Sequence, residues 1–347
     1  MGITNLLPNL RSATTAVSLD DLDGKIFAVD GFSWLHKSVF TCPEELSLNL
    51  PTNNYIKFFE KRIMTLQSYN VQIYMVFDGN SLDAKKGTND KRREDRLSNR
   101  LKAEQFKRDN QTYKAREFYA KSASITPQMC KSWINVCKKY KIPFVVAPFE
   151  ADSQMVYLEK RGIVDGIISE DSDLIIFGCQ KLYTKMDFDK RSCQLVDRSQ
   201  FHRLKDDLNA KGIPKLDISQ FSNLELIKLV CLAGCDYTPG LMKIGLIKAY
   251  NLLKEYEFDV ELILKAVESE FMKKKASNSA LVSPIPEGYL DDYYRALACF
   301  QYMYVFDPVQ EKMTTLNELP EDFDISLFKY LGRVAKTDST IAVVNSL

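Results

Sequence analysis

Six acids, Asp30, Asp78, Glu150, Asp152, Asp171 and Asp173, fall at or just after four short apolar runs: KIFAVDG (25–31), VQIYMVFDG (71–79), PFVVAP (143–148) and GIISE (166–170). Runs of this length read as buried strands. In a doubly wound sheet, ligands gather at the carboxyl ends of the strands, so these acids would converge on one crevice. Carboxylates that close repel one another, and several would be forced to protonate. Divalent metal removes that penalty. Oxygen donors without His or Cys favour Mg²⁺ or Mn²⁺ over zinc, and two such ions about 3.5–4 Å apart clamp the attacking and leaving oxygens of phosphodiester cleavage. Taken singly, each acid also reads as a helix cap or loop residue. The paired E-A-D and D-S-D, each just after a strand, fit that reading poorly. A phosphatase built on a strand-end Asp wants a second Asp two residues later, where this chain has Phe32.

A second cluster is GCDYTPGLMKIG, from Gly234 to Gly245, between two helical runs. Gly240 and Gly245 bracket a short loop that can bring backbone amides to a phosphate. Such a loop grips duplex backbone without reading sequence, although Gly is also simply a turn former. Asp236 would add a seventh acid. The third cluster is basic. From Lys85 to Lys121 there are 13 Lys or Arg and 6 Asp or Glu, a local net of +7 in a chain whose total is +1. The arm includes Lys85, Lys86, Lys91, Arg92, Arg93, Arg96, Arg100 and Lys102. A solvated helix face is the ordinary reading of such a run. Because the arm leaves from Asp78, it could also draw a phosphate backbone toward acids that alone would repel it.

The elements that must position these groups are readable in outline. The 347 residues, 45% hydrophobic and 27% charged, allow two folding units or one elaborated α/β domain. No apolar run approaches the ~20 residues of a membrane helix. The opening MGITNLLPNL lacks the build of a signal peptide, and Leu6 breaks the myristoylation pattern. Eight scattered cysteines, no C-x-x-C and two histidines argue against zinc and for a reduced compartment, each cysteine being a small buried hydrophobe. A helix is expected over 52–68, and polar helices with little core-facing stripe over 83–121. Thr126-Pro127 starts a helix running to about Tyr140, and another follows over 150–161. Further strands fit KLYTKM and CQLVDR. This alternation argues a mostly parallel sheet with helices on both faces. After 220 the pattern is helical, with a polar, mobile connection at 272–283. The aromatic-rich 289–306 reads as a core-packed helix and an extended segment rather than a base-stacking surface.

MGITNLLP, FAVDGFSWLHKS, VFDG, PFEADSQMVYLEKRGIVDGIISEDSDLIIFGC and CLAGCDYTPGLMKIGLIKAY together resemble the XPG-type structure-specific 5′ nucleases. That family includes flap endonucleases, exonuclease 1, the nucleotide-excision-repair nuclease and a Holliday-junction resolvase. The likeness runs from residue 1 to about 306, and GFSWLHKS, PFEADSQMVYLE and SEDSDLIIFGC look like the exonuclease 1 branch, its fungal members in particular. The resemblance implies a PIN-like 5′-nuclease fold forming one nuclease domain over 1–347. Its parts would be an N-terminal part (1–82), a helical arch (83–121), an internal part (122–220), a helix–two-turn–helix DNA-binding region (221–271), and a C-terminal helix and tail packing on the core (272–347). It implies that Asp30, Asp78, Glu150, Asp152, Asp171, Asp173 and Asp236 hold two Mg²⁺ ions, with Mn²⁺ able to substitute, and that Lys85 and Arg92 touch the scissile phosphate. Gly2, Phe32, His36, Arg93 and Arg96 would meet DNA near the site. Gly240, Lys243, Ile244 and Gly245 would hold duplex DNA, with a K⁺ ion. His36 reads equally as a helix-start residue without a DNA role. Two positions depart from the family. Asn5 stands for a glycine; if the position takes a positive φ, Asn is the next most tolerant residue. Phe32 stands for a tyrosine, which keeps stacking and loses a hydroxyl hydrogen bond.

The expected activity is a Mg²⁺-dependent 5′→3′ exonuclease on double-stranded DNA that also cuts 5′ flaps and leaves 5′-phosphates. Its substrate would be DNA with a 5′ end, nick, gap or flap, met in mismatch repair and end resection. A monomer in the nucleus is expected, the mitochondrion being the alternative, with no membrane role. Mismatch-repair proteins would bind through a C-terminal region not present here. The rivals are a dedicated flap endonuclease, a non-catalytic DNA-end-binding factor and a small-molecule phosphatase. The flap endonuclease would carry a clamp-binding Q-x-x-[ILM]-x-x-[FY][FY] box, which is not found.

Overall fold

Strand β1 covers Thr14–Ser18 and β2 covers Ile26–Asp30 in the computed structural model, which describes residues 2–82, 85–208, 212, 215–275, 282–323 and 328–331. Alternation along β2 sends Phe27 and Val29 to one face and Ala28 to the other, and all three are fully buried. This two-sided burial is why the strand reads as an unbroken apolar run. Strands β3 (Gln72–Phe77), β4 (Phe144–Val146), β5 (Gly166–Ile168), β6 (Lys181–Asp187) and β7 (Ser192–Asp197) complete a sheet ordered β1-β7-β6-β5-β2-β3-β4. The run β6-β5-β2-β3-β4 is parallel; β7 returns antiparallel beside β6, and β1 pairs antiparallel with β7. The mostly parallel sheet is thus as expected. β1 has no sequence signal, because its TTAVS is polar and lies on an edge.

In chain order the helices are α1 (Leu6–Asn9), α2 (Gly31–Val39), α3 (Pro43–Ser47), α4 (Asn54–Ser68), α5 (Lys86–Arg108), α6 (Thr112–Ser122), α7 (Pro127–Tyr140), α8 (Ala151–Lys160), α9 (Asp173–Phe177), α10 (Asn223–Ala233), α11 (Leu246–Glu255), α12 (Val260–Lys275), α13 (Tyr289–Tyr302) and α14 (Phe328–Leu331). One sheet face carries α2, α4 and α7, whose Phe59 and Trp133 stack at 4.1 Å. The other carries α8, α9, α10 and α13. α7 begins where Thr126 accepts a hydrogen bond from the Met129 amide and ends at Lys141 in the left-handed region. α10 begins with a reciprocal Ser222–Glu225 capping box. Asn5 caps α1 at φ 64, the conformation that Asn tolerates better than other side chains. Among the described residues no helix is long and apolar enough to cross a membrane.

The basic segment forms a helical hairpin of α5 and α6. As the reading of helices with little core-facing stripe has it, its buried apolar residues are few, a small core of Ala103, Ala115 and Tyr119, with Phe106 and Phe118 stacked at 5.2 Å beside it. Ser122 at its base shares a 2.7 Å hydrogen bond with Ser47 of α3. Three of the five aromatics of α13, Tyr289, Tyr293 and Phe300, are buried in the core, as expected, while Tyr294 is exposed. A two-stranded hairpin follows, β8 (Tyr304–Asp307) and β9 (Lys312–Thr315). Gln154 of α8 clasps β8, its side-chain amide donating to the Phe306 carbonyl (2.8 Å) and its oxygen accepting from the Phe306 amide (2.7 Å). Tyr157 donates to Asp307 at 2.7 Å. The expected connection at 272–283 begins as the end of α12, and its residues 276–281 lie outside the described residues, as do 332–347 of the expected tail.

Phe59→Ala should remove the stacked partner of Trp133 and cost about 3–5 kcal/mol, the range for truncating a buried aromatic. Chemical denaturation at constant pH measures this; a loss below about 1 kcal/mol would mean that α4 and α7 do not pack as described.

Candidate active site

Asp30 and Asp78 stand at the carboxyl ends of β2 and β3, Glu150 and Asp152 at the start of α8 after β4, and Asp171 and Asp173 after β5. Six acids, Asp30, Asp78, Glu150, Asp152, Asp171 and Asp236, line one crevice of about 110 Å³. Asp173 lies buried at 3% exposure, and its charge acts on the same group. The strand-end acids therefore come together, and Asp236 reaches them from the loop between α10 and α11.

Local structure fixes each carboxylate. Asp30 is indeed a helix cap, accepting from the Ser33 amide at 2.8 Å, and its second oxygen accepts from the Ser169 hydroxyl at 2.8 Å. Ser169 in turn accepts from the Asp171 amide at 3.1 Å, and Asp171 from the Asp173 amide at 3.1 Å. Asp78 accepts from the Ala151 amide at 2.7 Å, tying β3 to α8. Gly2 (φ 95) packs where any Cβ would strike the Asp171 carboxylate and the Ser172 hydroxyl, while the Ile3 amide donates to Ser172 at 2.7 Å. Ser169 and Ser172 carry no sequence signal, since a serine beside an acid has no diagnostic spacing.

The electrostatics follow from the crowding. Burial, opposed by hydrogen bonds from Ser33 and Ser169, pushes Asp30 up to about 6. Burial and then the charges of Glu150 and Asp30 push Asp78 up to about 7, although that residue keeps an exposed surface. Asp152 and Asp173 are raised well above the carboxylate range by burial and by Asp171. Burial pulls Lys85 down, but Glu150, Asp236 and Asp152 outweigh it and hold the ammonium charged. Its Nζ pairs with Glu150 and, at 3.1 Å, with Asp236, and lies 5.1 Å from the ring centre of Tyr237. Burial raises Asp236, and Lys85 and Arg92 more than reverse it; Arg92 Nη2 donates to its Oδ2 at 3.0 Å. Tyr237, under the ammonium, escapes sequence reasoning because a tyrosine after an acid reads as core.

These acids suit a hard divalent cation. Asp173 Oδ1 is buried and accepts no hydrogen bond, an acceptor that a cation would satisfy. Among the described residues no three of the acids close around a single point, and the Lys85 ammonium stands between Glu150 and Asp236.

Beneath the α5–α6 hairpin opens a cavity of about 650 Å³ whose walls include Phe32, His36, Lys37, Arg92, Arg96 and Glu170. Lys37 pairs with Glu170, which also accepts from Thr184 and the Lys185 amide. Burial, Arg96 and Arg92 lower the pKa of His36, so its ring is neutral at pH 7. Arg92 and Arg96, one helical turn apart, share the inner face of α5. Arg93, expected beside them, is exposed and off that wall, where α5 instead presents Asn89 and Asp95. Two more expected DNA contacts, Gly240 and Ile244, are buried. Gly240 (φ 71) abuts the backbone of Ala233 and Gly234, which leaves no room for a Cβ. Both residues shape the loop from within. Lys243 and Gly245 present its surface, Gly245 at the N-terminus of α11.

Comparison with known proteins places this geometry. Residues 1–99 match the model of the XPG N-terminal domain, and 141–236 the XPG I-region. Exodeoxyribonuclease 1 of Saccharomyces cerevisiae is 40% identical over 320 residues, 92% of this chain and 43% of that protein. DNA damage-inducible protein DIN7 of the same yeast is 38% identical over 348 residues, 98% of this chain and 76% of that protein. Exonuclease 1 of Xenopus laevis is 35% identical over 96% of this chain and 43% of its own length. The chain thus spans less than half of the yeast exodeoxyribonuclease and of the frog enzyme. Among solved structures, the catalytic core of Rad2 in complex with DNA substrate superposes with a TM-score of 0.59 at 21% identity, covering 86% of this chain and 85% of the other. Flap endonuclease-1 from Methanococcus jannaschii gives 0.51 at 22%, covering 83% and 81%. At these identities the likeness is one of fold. The two matched regions hold between them every crevice acid as well as Lys85 and Arg92, and the chain belongs to the XPG family of nucleases, on its exonuclease 1 branch.

Proposed function

We propose that the chain is a Mg²⁺-dependent 5′→3′ exonuclease on double-stranded DNA that also cuts 5′ flaps and leaves 5′-phosphorylated nucleotides. The observation that carries this reading is the buried, unpartnered Asp173 Oδ1 beneath a crevice of acids, roofed by a cationic hairpin. Asp30, Asp78, Glu150, Asp152, Asp171, Asp173 and Asp236 would hold two Mg²⁺ ions, or Mn²⁺ in their place. Bound there, the ions would supply an activated water and charge stabilisation for the leaving 3′ oxygen.

The chain's own groups do the rest. Lys85 and Arg92, now paired with Glu150 and Asp236, would exchange those partners for the scissile phosphate and neutralise charge developing on it. The surface of Lys243 and the N-terminus of α11 would hold duplex backbone, with a K⁺ ion at the same loop. The frayed strand would pass through the cavity under α5 and α6, beside Phe32, the neutral His36 and Arg96, while the Gly2 backbone closes the floor near Asp171. Contacts of these kinds read structure rather than sequence. A role in DNA repair fits the exonuclease and DNA-damage names of the relatives, and action in the nucleus as a monomer is proposed with it.

The deciding experiment compares a 5′-recessed duplex with a 5′-flap duplex, with and without Mg²⁺, and sizes the products. Mononucleotides from the recessed duplex support the exonuclease; cleavage of the flap alone favours a dedicated flap endonuclease; Mg²⁺-independent binding without hydrolysis favours an end-binding factor. Asp173→Ala should abolish cleavage and leave duplex affinity within about threefold, since phosphate contacts elsewhere supply the affinity. Unchanged turnover would refute the metal assignment. Lys85→Ala should slow single-turnover cleavage about 100-fold or more, the scale for losing one transition-state donor, with little change in affinity. The reverse pattern would make the hairpin a docking surface.

The raised pKa of Asp30 sets a pH dependence for the chelator-treated protein. In the unfolded chain the group titrates near 3.8 and in the folded chain near 6. The folded state therefore holds more protons between these values, and the contribution of Asp30 to stability is full below about pH 4 and is lost as the pH rises through 6. The melting temperature should fall across that window, less steeply in Asp30→Asn, and Mg²⁺ should raise it at pH 7.5. Equal slopes in both proteins would show that Asp30 does not keep its proton.

A further inference from the structure

Three Ser/Thr-Pro pairs stand in the sequence: Thr126-Pro127, Thr238-Pro239 and Ser283-Pro284. The fold hides the first two. Thr238 is buried at 2% exposure, and half-buried Thr126 uses its hydroxyl to cap α7. Ser283 is exposed, in the irregular stretch that leads into α13. Its hydroxyl makes two long contacts, both to Ile285 at 3.2 Å, accepting from the amide and donating to the carbonyl. The proposed reaction gives this residue no part.

Its place in the fold ties it to the loop before α11. The Pro284 carbonyl accepts a 2.7 Å hydrogen bond from the amide of Met242 in that loop. Ser283 and Lys243 flank this bond, one residue to either side, so covalent geometry keeps their Cα atoms within about 14 Å of each other. Both residues are exposed. Lys243 is the cation that the proposed function sets against duplex backbone. A phosphate on Ser283 would bring nearly two negative charges beside it, at a range that physiological salt screens only in part once the side-chain lengths are counted.

We propose that Ser283 is a phosphorylation site for a proline-directed protein kinase, and that the phosphate loosens the hold of the α11 loop on duplex DNA. This rests on the duplex-holding role given to that loop above and adds its regulation. In the transfer, Ser283 Oγ bonds to the γ-phosphorus of ATP as the bond from that phosphorus to the β,γ-bridging oxygen breaks. ADP leaves, and the hydroxyl proton passes to the kinase's carboxylate base. Pro284 supplies the recognition, because its ring fixes φ and removes an amide hydrogen, features that a kinase groove shaped for proline selects. The product keeps the local turn, since a phosphate oxygen can accept from the Ile285 amide in a stronger, charge-assisted bond. Its charge competes with DNA phosphates for Lys243 and repels them.

The test treats the full chain with ATP and a purified cyclin-dependent kinase, a proline-directed probe, and locates phosphate by peptide mass spectrometry. Phosphate should appear on Ser283 in the wild type and be lost from that position in Ser283→Ala and Pro284→Ala. Anisotropy of a labelled duplex should then show about tenfold weaker binding by the phosphorylated chain at about 0.1 M salt. The slope of log K against log salt should fall by about one, the mark of one lost phosphate contact. Ser283→Ala should bind alike before and after kinase treatment. In Lys243→Asn, which removes the charge and suits the positive φ of that position, phosphorylation should weaken binding by less than about threefold further. A bare Ser283 after treatment, an unchanged affinity with Ser283 phosphorylated, or the same tenfold loss in Lys243→Asn would overturn the proposal. Failure of the nuclease reading looks different: the untreated chain would neither bind nor cut the 5′-recessed duplex.

Discussion

Seven carboxylates around one crevice repel one another, and the rest of the molecule is arranged around that repulsion. Part of it is relieved by protonation, which burial promotes at Asp30, Asp152 and Asp173. Part is relieved by two cations from a single helix and its cap, Lys85 and Arg92, which reach Glu150 and Asp236. The remainder is held in place by the fold. Amides and hydroxyls from Ser33, Ala151, Ser169 and the 171–173 turn pin individual oxygens, so the carboxylates cannot relax apart without breaking hydrogen bonds that the backbone needs. A crevice loaded in this way is poised for cations, and the same cationic hairpin that quiets it is suited to escort a polyanion to it.

How much of this could be read from the sequence depended on what kind of signal each part leaves. The strand-end acids were readable because parallel strands buried on both faces become apolar runs that stop abruptly at Asp30, Asp78 and Ile168. Asp236 was readable because GCDYTPG punctuates two apolar helical runs. Partners that meet across long separations were not. Ser169 reaches Asp30 from 139 residues away, and nothing local marks it. Edge strand β1 was invisible because an exposed strand needs no apolar pattern.

Phase and depth were the other losses. In the basic segment, composition alone treated Arg92, Arg93 and Arg96 as equals; helical geometry puts Arg92 and Arg96 on the cavity wall and leaves Arg93 outside it. The little core of Ala103, Ala115 and Tyr119 was hidden by the charges around it. In the loop before α11, the glycine that looked like a phosphate contact, Gly240, serves instead to let two stretches of backbone touch. Its neighbours Lys243 and Gly245 are the residues left facing outward.

The clasp between Gln154 and Phe306 joins residues 152 positions apart, and the stretch between them includes α10, the Asp236 loop and α11. That stretch is therefore a closed span moored at both ends to α8, the helix that also bears Asp152. Within it α10 packs on the core shared with α8 and α9, and Asp236 pairs with Lys85, so the loop is set beside the carboxylates by contact as well as by connection. On the proposed reading, an incision would be located by the separation between this loop and the acid crevice, not by the letters of the strand.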